Sequence, residues 1–243
     1  MAEIGKKLVI MPAYNEEHNI GRVIDDLHCV KLDVDIVVID DGSFDRTAEI
    51  AYSKGVKVIR LLFNQGYGAA LQTGYLYANK KGYDIVIQMD ADGQHDPFFI
   101  IDLVDVVEKG EADLALGSRY LTLRKKGGSL TRRLGSLLFS WIITLLTGQK
   151  ITDPTSGFQV FNSQVISFFA NTVFPSDYPD ADIIIFLHQA GFRIKEIPVK
   201  MYFSANKASM HRGYRIIYYL IKMFLSIIVT MVRKKPNKRG FTQ

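Results

Sequence analysis

Short apolar runs alternate with helical stretches over the first half of the chain, and this alternation limits the fold more than any other feature. The runs predict strands at 7–11, 35–39, 56–61, 84–89 and 113–117. The stretches between them predict helices at 16–29, 45–54, 68–81 and 97–109. Repeated strand–helix units of this kind form a mostly parallel sheet with helices on both faces. The predicted fold class is therefore α/β and Rossmann-like.

The pattern changes near residue 120. A basic loop (121–133) precedes an apolar helix (134–147), a loop (152–157) and a helix–strand pair whose strand covers about 192–201. A strongly apolar helix at about 213–232 and a basic tail close the chain. We therefore predict a main domain over residues 1–212 and an amphipathic C-terminal helix with its tail over 213–243.

Composition narrows the functional classes. The chain has 243 residues, of which 48% are hydrophobic and 23% charged, enough to bury a sizeable core. Its formal charge is +5, and basic residues cluster beside the apolar segments at 124–133 and 233–239. Such clusters favour an anionic membrane surface, and the lack of aromatic-interleaved RNA motifs or zinc-ligand spacing argues against nucleic acid. A single cysteine, Cys29, excludes an intramolecular disulfide and suits a reducing compartment.

The apolar run at 84–89 ends in two carboxylates, Asp90 and Asp92, followed by Gly93. Ligands of open α/β sheets bind beyond the carboxyl ends of the strands. Two carboxylates there are suited to hold a hard divalent cation, which can bridge a diphosphate. Gln94 or His95 could supply a further ligand. An ordinary acidic turn is the alternative interpretation.

Other strand ends also carry polar motifs. Residues 12–16 read Pro-Ala-Tyr-Asn-Glu, 40–43 read Asp-Asp-Gly-Ser and 64–68 read Asn-Gln-Gly-Tyr-Gly. Tyr14 is placed to lie against a flat base, and one of the two acids could accept hydrogen bonds from a base or ribose. The alternatives are a plain strand-to-helix turn and a helix cap. An NAD site is rejected, because the Gly-x-Gly lies after the third strand and lacks a third glycine.

In this order, the motifs resemble those of the family 2 glycosyltransferases, which have the GT-A fold. The match includes the motifs above, Asp90-Ala-Asp-Gly-Gln94 and Gly117-Ser-Arg119, and segments 153–158 and 191–198 extend it over residues 7–203. Within the family, the chain is most similar to polyprenyl-phosphate sugar synthases such as dolichyl-phosphate mannose synthase and its bacterial relatives. The resemblance implies an inverting, metal-dependent enzyme that moves a sugar from a nucleotide-diphosphate sugar to a polyprenyl phosphate.

The resemblance also implies roles for individual residues. The nucleoside would be held by Pro12, Tyr14, Glu16, Asp40, Asp41 and Gly68. Mg²⁺ or Mn²⁺ would be held on the donor diphosphate by Asp90, Asp92 and Gln94. Asp92 and Arg119 would act in catalysis, because a metal and arginines stabilise the charge that grows on the leaving nucleoside diphosphate. Further phosphate contacts would come from Arg132, Arg133 and Lys207. A surface salt bridge is the alternative role for Arg119.

A general base is not required if the acceptor is a lipid phosphate. The second pKa of a phosphate monoester is about 6, so the acceptor is already an anion at neutral pH. A sugar hydroxyl would instead need a carboxylate to take its proton. Asp180 and Asp182 occupy the region where relatives carry acidic residues near the acceptor, so one of them would be that catalytic base. Capping of the helix at about 183–190 is an equally good explanation.

Two apolar helices are predicted to lie in a membrane interface. A spanning helix needs about 20 apolar residues. Segment 134–147 is too short, and segment 213–232 is interrupted by Lys222. The second helix carries a polar stripe, formed by Arg215, Tyr219, Lys222, Ser226, Thr230 and Arg233. Basic flanks would rest on anionic head groups. The alternative is that these helices pack as a core, or against a second copy or a small membrane-protein partner.

The sequence therefore predicts a peripheral enzyme on the cytoplasmic face of the cell membrane, acting in cell wall polysaccharide biosynthesis. UDP-sugars are favoured over GDP-mannose, on likeness to bacterial relatives. Two alternatives stay open. One is a glycosyltransferase that acts on a saccharide hydroxyl in cell-surface polysaccharide synthesis, and the other is a catalytically silent membrane scaffold.

Overall fold

The structure is a computed structural model and describes residues 5–121, 130–172, 181–202, 214–232 and 238. The strands are β1 (Lys7–Ala13), β2 (Asp35–Asp40), β3 (Lys57–Arg60), β4 (Ile85–Gln88), β5 (Leu114–Ser118), β6 (Gln159–Asn162) and β7 (Ile194–Pro198). The helices are α1 (Ile20–His28), α2 (Thr47–Ser53), α3 (Tyr67–Lys81), α4 (Ile100–Glu108), α5 (Leu130–Thr147), α6 (Ser163–Ala170), α7 (Ala181–Gln189) and α8 (Tyr214–Val232), with a 3₁₀ turn at Pro97–Phe99.

These strands form one sheet in the order β3-β2-β1-β4-β6-β5-β7. Strand β6 runs antiparallel to its neighbours β4 and β5, and the other neighbouring pairs are parallel. Alternate residues of β1 enter different cores: Leu8 and Ile10 face one side of the sheet, and Val9 and Met11 face the other. Helices α3 and α5–α8 cover the first side, and α1, α2 and α4 cover the second. The predicted α/β sheet with helices on both faces is confirmed.

The prediction missed β6 and α6, for which it offered only the loop at 152–157 and a later helix–strand pair. Strand β6 has four residues, Gln-Val-Phe-Asn, too few to show alternation. It is nevertheless central, because it pairs with β4 on one side and β5 on the other. Its neighbours in the sheet, rather than the pattern of its own residues, determine that this segment is a strand.

Helix α8 leaves most of its described apolar face exposed, as its pattern predicts, and turns part of its polar stripe to the protein. Ile227, which lies outside the predicted polar stripe, is the exception: it is 4% exposed and belongs to the core. Thr230, predicted on the polar stripe, is buried, and Ser226 of the same stripe donates to Asp182 Oδ2 at 2.5 Å. The outward positions are apolar and exposed; they include Phe224, Leu225, Ile228, Val229, Met231 and Val232. The predicted boundary between domains at 212/213 stays a prediction.

Within the described ranges, none of the helices has the length and apolarity needed to cross a membrane.

Candidate active site

The loops that follow β1 and β2 hold each other in place. Asn15 has a left-handed backbone (φ 54°), which asparagine tolerates. Its backbone N–H donates to Ser43 Oγ at 3.0 Å, and its side-chain oxygen accepts from the Phe44 N–H at 3.0 Å. The Glu16 N–H donates to Thr47 Oγ1 at 2.7 Å. The two motifs therefore form one braced wall at the carboxyl edge of the sheet.

The residues predicted to hold the nucleoside differ in exposure along this wall. Tyr14 is 39% exposed, and its ring lies nearly perpendicular to that of Phe44, with 6.5 Å between the ring centroids. Pro12 is buried within β1. Glu16 is buried and accepts a hydrogen bond from Asn19 Nδ2 at 2.8 Å. Tyr14 and Phe44 therefore offer aromatic surface to a ligand, whereas Pro12 and Glu16 shape the wall.

Asp40 is fully buried at the end of β2. Its Oδ1 accepts from the Ser43 N–H at 3.1 Å, and its Oδ2 lies 3.1 Å from Arg60 Nε. The Arg60 N–H does not point at Oδ2, which accepts no hydrogen bond within the described parts of the chain. The Arg60 guanidinium therefore offsets the charge of this buried carboxylate, and the contact of Asp40 with a nucleoside stays a prediction.

Asp41 is also buried and joins the second motif to the third. The Gln65 N–H donates to its Oδ1 at 2.8 Å, and the Gly66 N–H donates to its Oδ2 at 2.9 Å. Burial raises the pKa of Asp41, although these two hydrogen bonds act in the opposite direction. The loop leads directly into α3, whose second residue, Gly68, is buried. Asp41 thus determines where α3 begins.

Asp90 and Asp92 follow β4 at the same edge of the sheet and are both partly buried. Asp92 accepts the Gln94 backbone N–H at 3.0 Å, and the Gln94 Nε2 donates to its other oxygen. Burial raises the pKa of Asp92, and the neighbouring Asp90 carboxylate raises it further. The described residues contain no group of three or more His, Cys, Asp or Glu arranged to hold a metal ion.

This donor set fits a divalent cation that is shared with a ligand. Two neighbouring carboxylates concentrate negative charge that a cation would neutralise, and the Asp90 charge adds to the rise that burial causes in the pKa of Asp92. Mg²⁺ commonly takes one or two carboxylates together with phosphate oxygens rather than a full protein cage. Gln94 would bind through Oε1, which requires its amide to rotate because Nε2 faces Asp92.

Asp90 is held by residues of its own turn and of two other segments, and their contacts with it were not predicted. Tyr67 donates its hydroxyl to Oδ1 at 2.8 Å. The Asp90 N–H donates to His95 Nδ1 at 3.1 Å, and His95 Nε2 lies 3.7 Å from Oδ2. The buried His95 ring stacks on Phe158 with 4.9 Å between centroids. At Gly157 an added Cβ would lie 3.0 Å from the Tyr67 hydroxyl and 3.1 Å from Asp90 Oδ2, so a side chain there would press on both groups.

Arg119 follows β5 and is bound to Asp153, in the loop that precedes β6. Its Nε donates to Oδ2 and its Nη2 to Oδ1, both at 2.6 Å, and its backbone N–H donates to Oδ2 at 3.0 Å. The Nη2 also donates to Thr155 Oγ1 at 3.2 Å. The Arg119 side chain is 11% exposed and that of Asp153 is fully buried. The ion pair is therefore internal rather than on the surface, and the role of Arg119 towards a phosphate stays a prediction.

We expect Arg119→Lys to lower both the melting temperature and the rate of any transfer. Lysine keeps the charge but cannot donate two parallel N–H groups to Asp153. A buried group that loses a partner costs about 1–3 kcal/mol. Circular dichroism melting measures the loss, with Arg46→Lys as control, because Arg46 and its partner Glu49 are both mostly exposed. If Arg119→Lys melts and turns over like the wild type, Arg119 neither stabilises the fold through Asp153 nor contributes to sugar transfer.

The remaining predicted residues are placed only in part. Asp180 and Lys207 lie outside the described residues, and of Arg132 and Arg133 only the backbone, within α5, is described. Asp182 is 1% exposed in the first turn of α7, where it accepts from Ser226 of α8. The structure therefore gives Asp182 a role in joining the two helices, and its catalytic role stays a prediction.

Comparison with known proteins gives this arrangement a family. A sequence profile described as Glycosyl transferase family 2 matches residues 8–170. The chain belongs to glycosyl transferase family 2. The matched segment runs from β1 to α6 and contains Asp41, Asp90, Asp92, Arg119 and Asp153. The glycosyltransferase activity predicted from the motifs is confirmed at the level of the family.

Two relatives illustrate the chemistry found in similar chains. A UDP-N-acetylglucosamine–dolichyl-phosphate N-acetylglucosaminyltransferase of Methanococcus voltae is 29% identical over 238 residues, covering 88% of this chain and 94% of that protein. A polyprenol monophosphomannose synthase of Mycolicibacterium smegmatis is 35% identical over 172 residues, covering 66% of this chain and 63% of that protein. Their names agree with the resemblance to polyprenyl-phosphate sugar synthases.

Solved structures confirm the fold. The glucosyl-3-phosphoglycerate synthase of Mycobacterium tuberculosis, in complex with Mn²⁺ and UDP-glucose, superposes with a TM-score of 0.67 at 21% identity. The superposition covers 93% of this chain and 79% of that one. At this identity the likeness concerns the fold alone, and it agrees with the predicted GT-A architecture.

Proposed function

We propose that this glycosyltransferase moves a sugar, with inversion, from a nucleotide-diphosphate sugar to a polyprenyl phosphate at the cytoplasmic face of a membrane. A UDP-sugar is the favoured donor over GDP-mannose, and Mg²⁺ or Mn²⁺ is the cofactor. The observation that carries the proposal is that the braced loops after β1 and β2 lie at the same sheet edge as Asp90 and Asp92. The Mn²⁺ and UDP-glucose bound to the mycobacterial synthase support a metal and a nucleotide-sugar donor.

The proposed donor site divides into two parts. Tyr14 would lie against the base, and Asp40 and Asp41 would accept hydrogen bonds from the nucleoside. Asp90 and Asp92, with Gln94, would hold the cation. When bound, the cation would neutralise the charge that grows on the leaving nucleoside diphosphate.

The proposed acceptor is a phosphate monoester that needs no general base. A phosphate oxygen would attack the anomeric carbon from the face opposite the leaving group. The bond from that carbon to the nucleoside diphosphate would break, and the diphosphate would keep the electron pair. The acceptor phosphate has already lost its proton at neutral pH. The burial of Asp182 and its hydrogen bond to Ser226 agree with a reaction in which this carboxylate takes no proton.

Exposed apolar side chains on α5 and α8 support the membrane part of the proposal. On α5 they include Leu137, Leu138, Trp141 and Leu145. On α8 they include Leu225, Ile228, Val229 and Val232. The two helices approach each other, since the Phe139 and Phe224 rings have 6.1 Å between their centroids. Contiguous exposed apolar surface marks an interaction site, and a lipid acceptor must be met at a lipid surface.

A transfer assay with labelled donors tests the proposal. The protein is incubated with Mn²⁺, vesicles that contain polyprenyl phosphate, and radiolabelled UDP- or GDP-sugars. We expect label from a UDP-sugar to enter the organic phase, and we expect no transfer to the matching polyprenol, which lacks the phosphate. Omission of the metal should abolish transfer.

Other outcomes would favour the alternatives. Label found only in added saccharide acceptors would favour a hydroxyl-transferring enzyme. Donor that is neither bound nor hydrolysed in the presence of metal would favour a silent scaffold. Label entering lipid from GDP-mannose alone would keep the reaction class and overturn the donor preference.

A further inference from the structure

Glu196 lies on β7, the outermost strand on one side of the sheet, and binds the loop that precedes β6. Its two carboxylate oxygens accept the Thr152 N–H at 2.8 and 2.9 Å and the Thr152 hydroxyl at 3.0 Å. Its Oε1 also accepts the Asp153 N–H at 2.8 Å. The carboxylate of Glu196 therefore determines where residues 152 and 153 lie relative to the sheet.

This loop, residues 152–157, is named the bridging loop because its two ends contact different parts of the candidate active site. Near its start, Asp153 binds the Arg119 guanidinium through two hydrogen bonds of 2.6 Å. At its end, Gly157 lies against Asp90, whose Oδ2 would be 3.1 Å from an added Cβ. A shift at the start of the loop would therefore displace Asp153 and, with it, the Arg119 side chain.

We infer that Glu196 is a positioning residue for sugar transfer, acting on Arg119 through the bridging loop. The inference rests on the proposed function and on the predicted role of Arg119, which would stabilise the charge that grows on the leaving nucleoside diphosphate. Glu196 is assigned no contact with donor or acceptor. Glu196 would act by accepting hydrogen bonds from the backbone amides of residues 152 and 153. These bonds fix the position of the Asp153 carboxylate, which in turn binds the Arg119 guanidinium.

Steady-state kinetics of two Glu196 variants test the inference. Glu196→Ala removes both acceptor oxygens, whereas Glu196→Gln keeps one oxygen and an amide that can donate to the Thr152 hydroxyl. Misplacing a reacting group by about 1 Å can cost about 10²-fold in rate. We expect Glu196→Ala to lower kcat/KM for the lipid phosphate on this scale and to leave KM for the donor unchanged. Glu196→Gln should be intermediate.

A double-mutant cycle separates positioning from general destabilisation. If Glu196 acts through Arg119, the losses of Glu196→Ala and Arg119→Lys should not add, because both remove the same placement. Glu111→Gln is the matched control. Glu111 is well exposed and forms a 2.5 Å ion pair with Lys195, which lies next to Glu196 on β7. It removes one carboxylate charge without touching the bridging loop, so its kinetics should be those of the wild type.

Hydrogen exchange gives a readout that does not depend on turnover. The amides of Thr152 and Asp153 should exchange faster in Glu196→Ala than in the wild type or in Glu111→Gln. A wild type that transfers no sugar would refute the proposed function, whereas exchange would still report whether Glu196 holds the loop. Where Glu196→Ala does not fold, Glu196→Gln takes its place. Unchanged acceptor kinetics in the folded variant, or additive losses in the cycle, would overturn the inference.

Discussion

Asp92→Asn is expected to keep the fold and to lower sugar transfer by at least about 10²-fold, the scale for losing one electrostatic stabiliser. Asparagine can still accept the Gln94 N–H, so the turn after β4 should form. It cannot supply the negative charge that a divalent cation requires. Because burial raises the pKa of Asp92, its charged form is disfavoured in the folded protein. The neutral variant should therefore melt no lower than the wild type in metal-free buffer.

Two measurements besides turnover test this expectation. Circular dichroism should superimpose on that of the wild type, and Mn²⁺ binding in the presence of UDP, followed by electron paramagnetic resonance, should weaken strongly. Asp105→Asn is the control, because that carboxylate pairs with Lys109 at 2.6 Å on the exposed side of α4. Full turnover in Asp92→Asn, or in wild-type enzyme with excess chelator, would contradict the metal assignment.

The position of Asp92 shows what the sequence could predict about the site. The apolar run at 84–89 must be a buried strand, and a strand in a parallel sheet delivers its last residues to the ligand-binding edge. The same reasoning applies to Tyr14 after β1 and to Asp41 after β2. These inferences need only local patterns and the rule that strand–helix units form a parallel sheet.

The contacts made by Arg119 could not be predicted in this way. Its partner Asp153 is 34 residues away and is brought to it by β6, a strand too short for its own pattern to reveal. Glu196, which holds Asp153, is a further 43 residues along the chain. No local periodicity links these positions, so the sequence left open whether Arg119 faced solvent, a phosphate or a carboxylate.

The orientation of α8 was predicted only in part: Ile228 is exposed on the apolar face, as expected, but Ile227 is buried in the core. Periodicity identifies two faces of a helix but does not say which of them meets the protein where the polar stripe contains small residues. Ser226 donates to the buried carboxylate of Asp182, and Thr230 is also buried. The larger apolar side chains, such as Ile228, are consequently turned outward.

That orientation leads to the second large effect: Ile228→Glu combined with Val232→Glu should release the protein from anionic vesicles. The two side chains are 54% and 81% exposed, so the substitutions should not disturb the core. Burying each apolar side chain in lipid is worth about 1.5–3 kcal/mol, and the pair about 3–6 kcal/mol. At about 1.4 kcal/mol per tenfold, the partition coefficient should fall by about 10²–10⁴-fold.

Vesicle sedimentation measures the partitioning, and Tyr52→Glu combined with Ile101→Glu is the matched control. That pair adds the same two charges at exposed positions on α2 and α4, on the opposite side of the sheet. Substitution is a sharper test than deletion of the C-terminal segment, because deletion would also remove Ile227 from the core.

The kinetics of the α8 variant and of its control should differ in the same way as their partitioning. The variant with Ile228→Glu and Val232→Glu, called the outward variant, should raise KM for a long-chain lipid phosphate. It should leave turnover of a short, water-soluble polyprenyl phosphate nearly unchanged, because the strand-end motifs of the proposed donor site lie on other elements. If the outward variant sediments with vesicles as the wild type does, the apolar face of α8 meets another protein surface and not lipid.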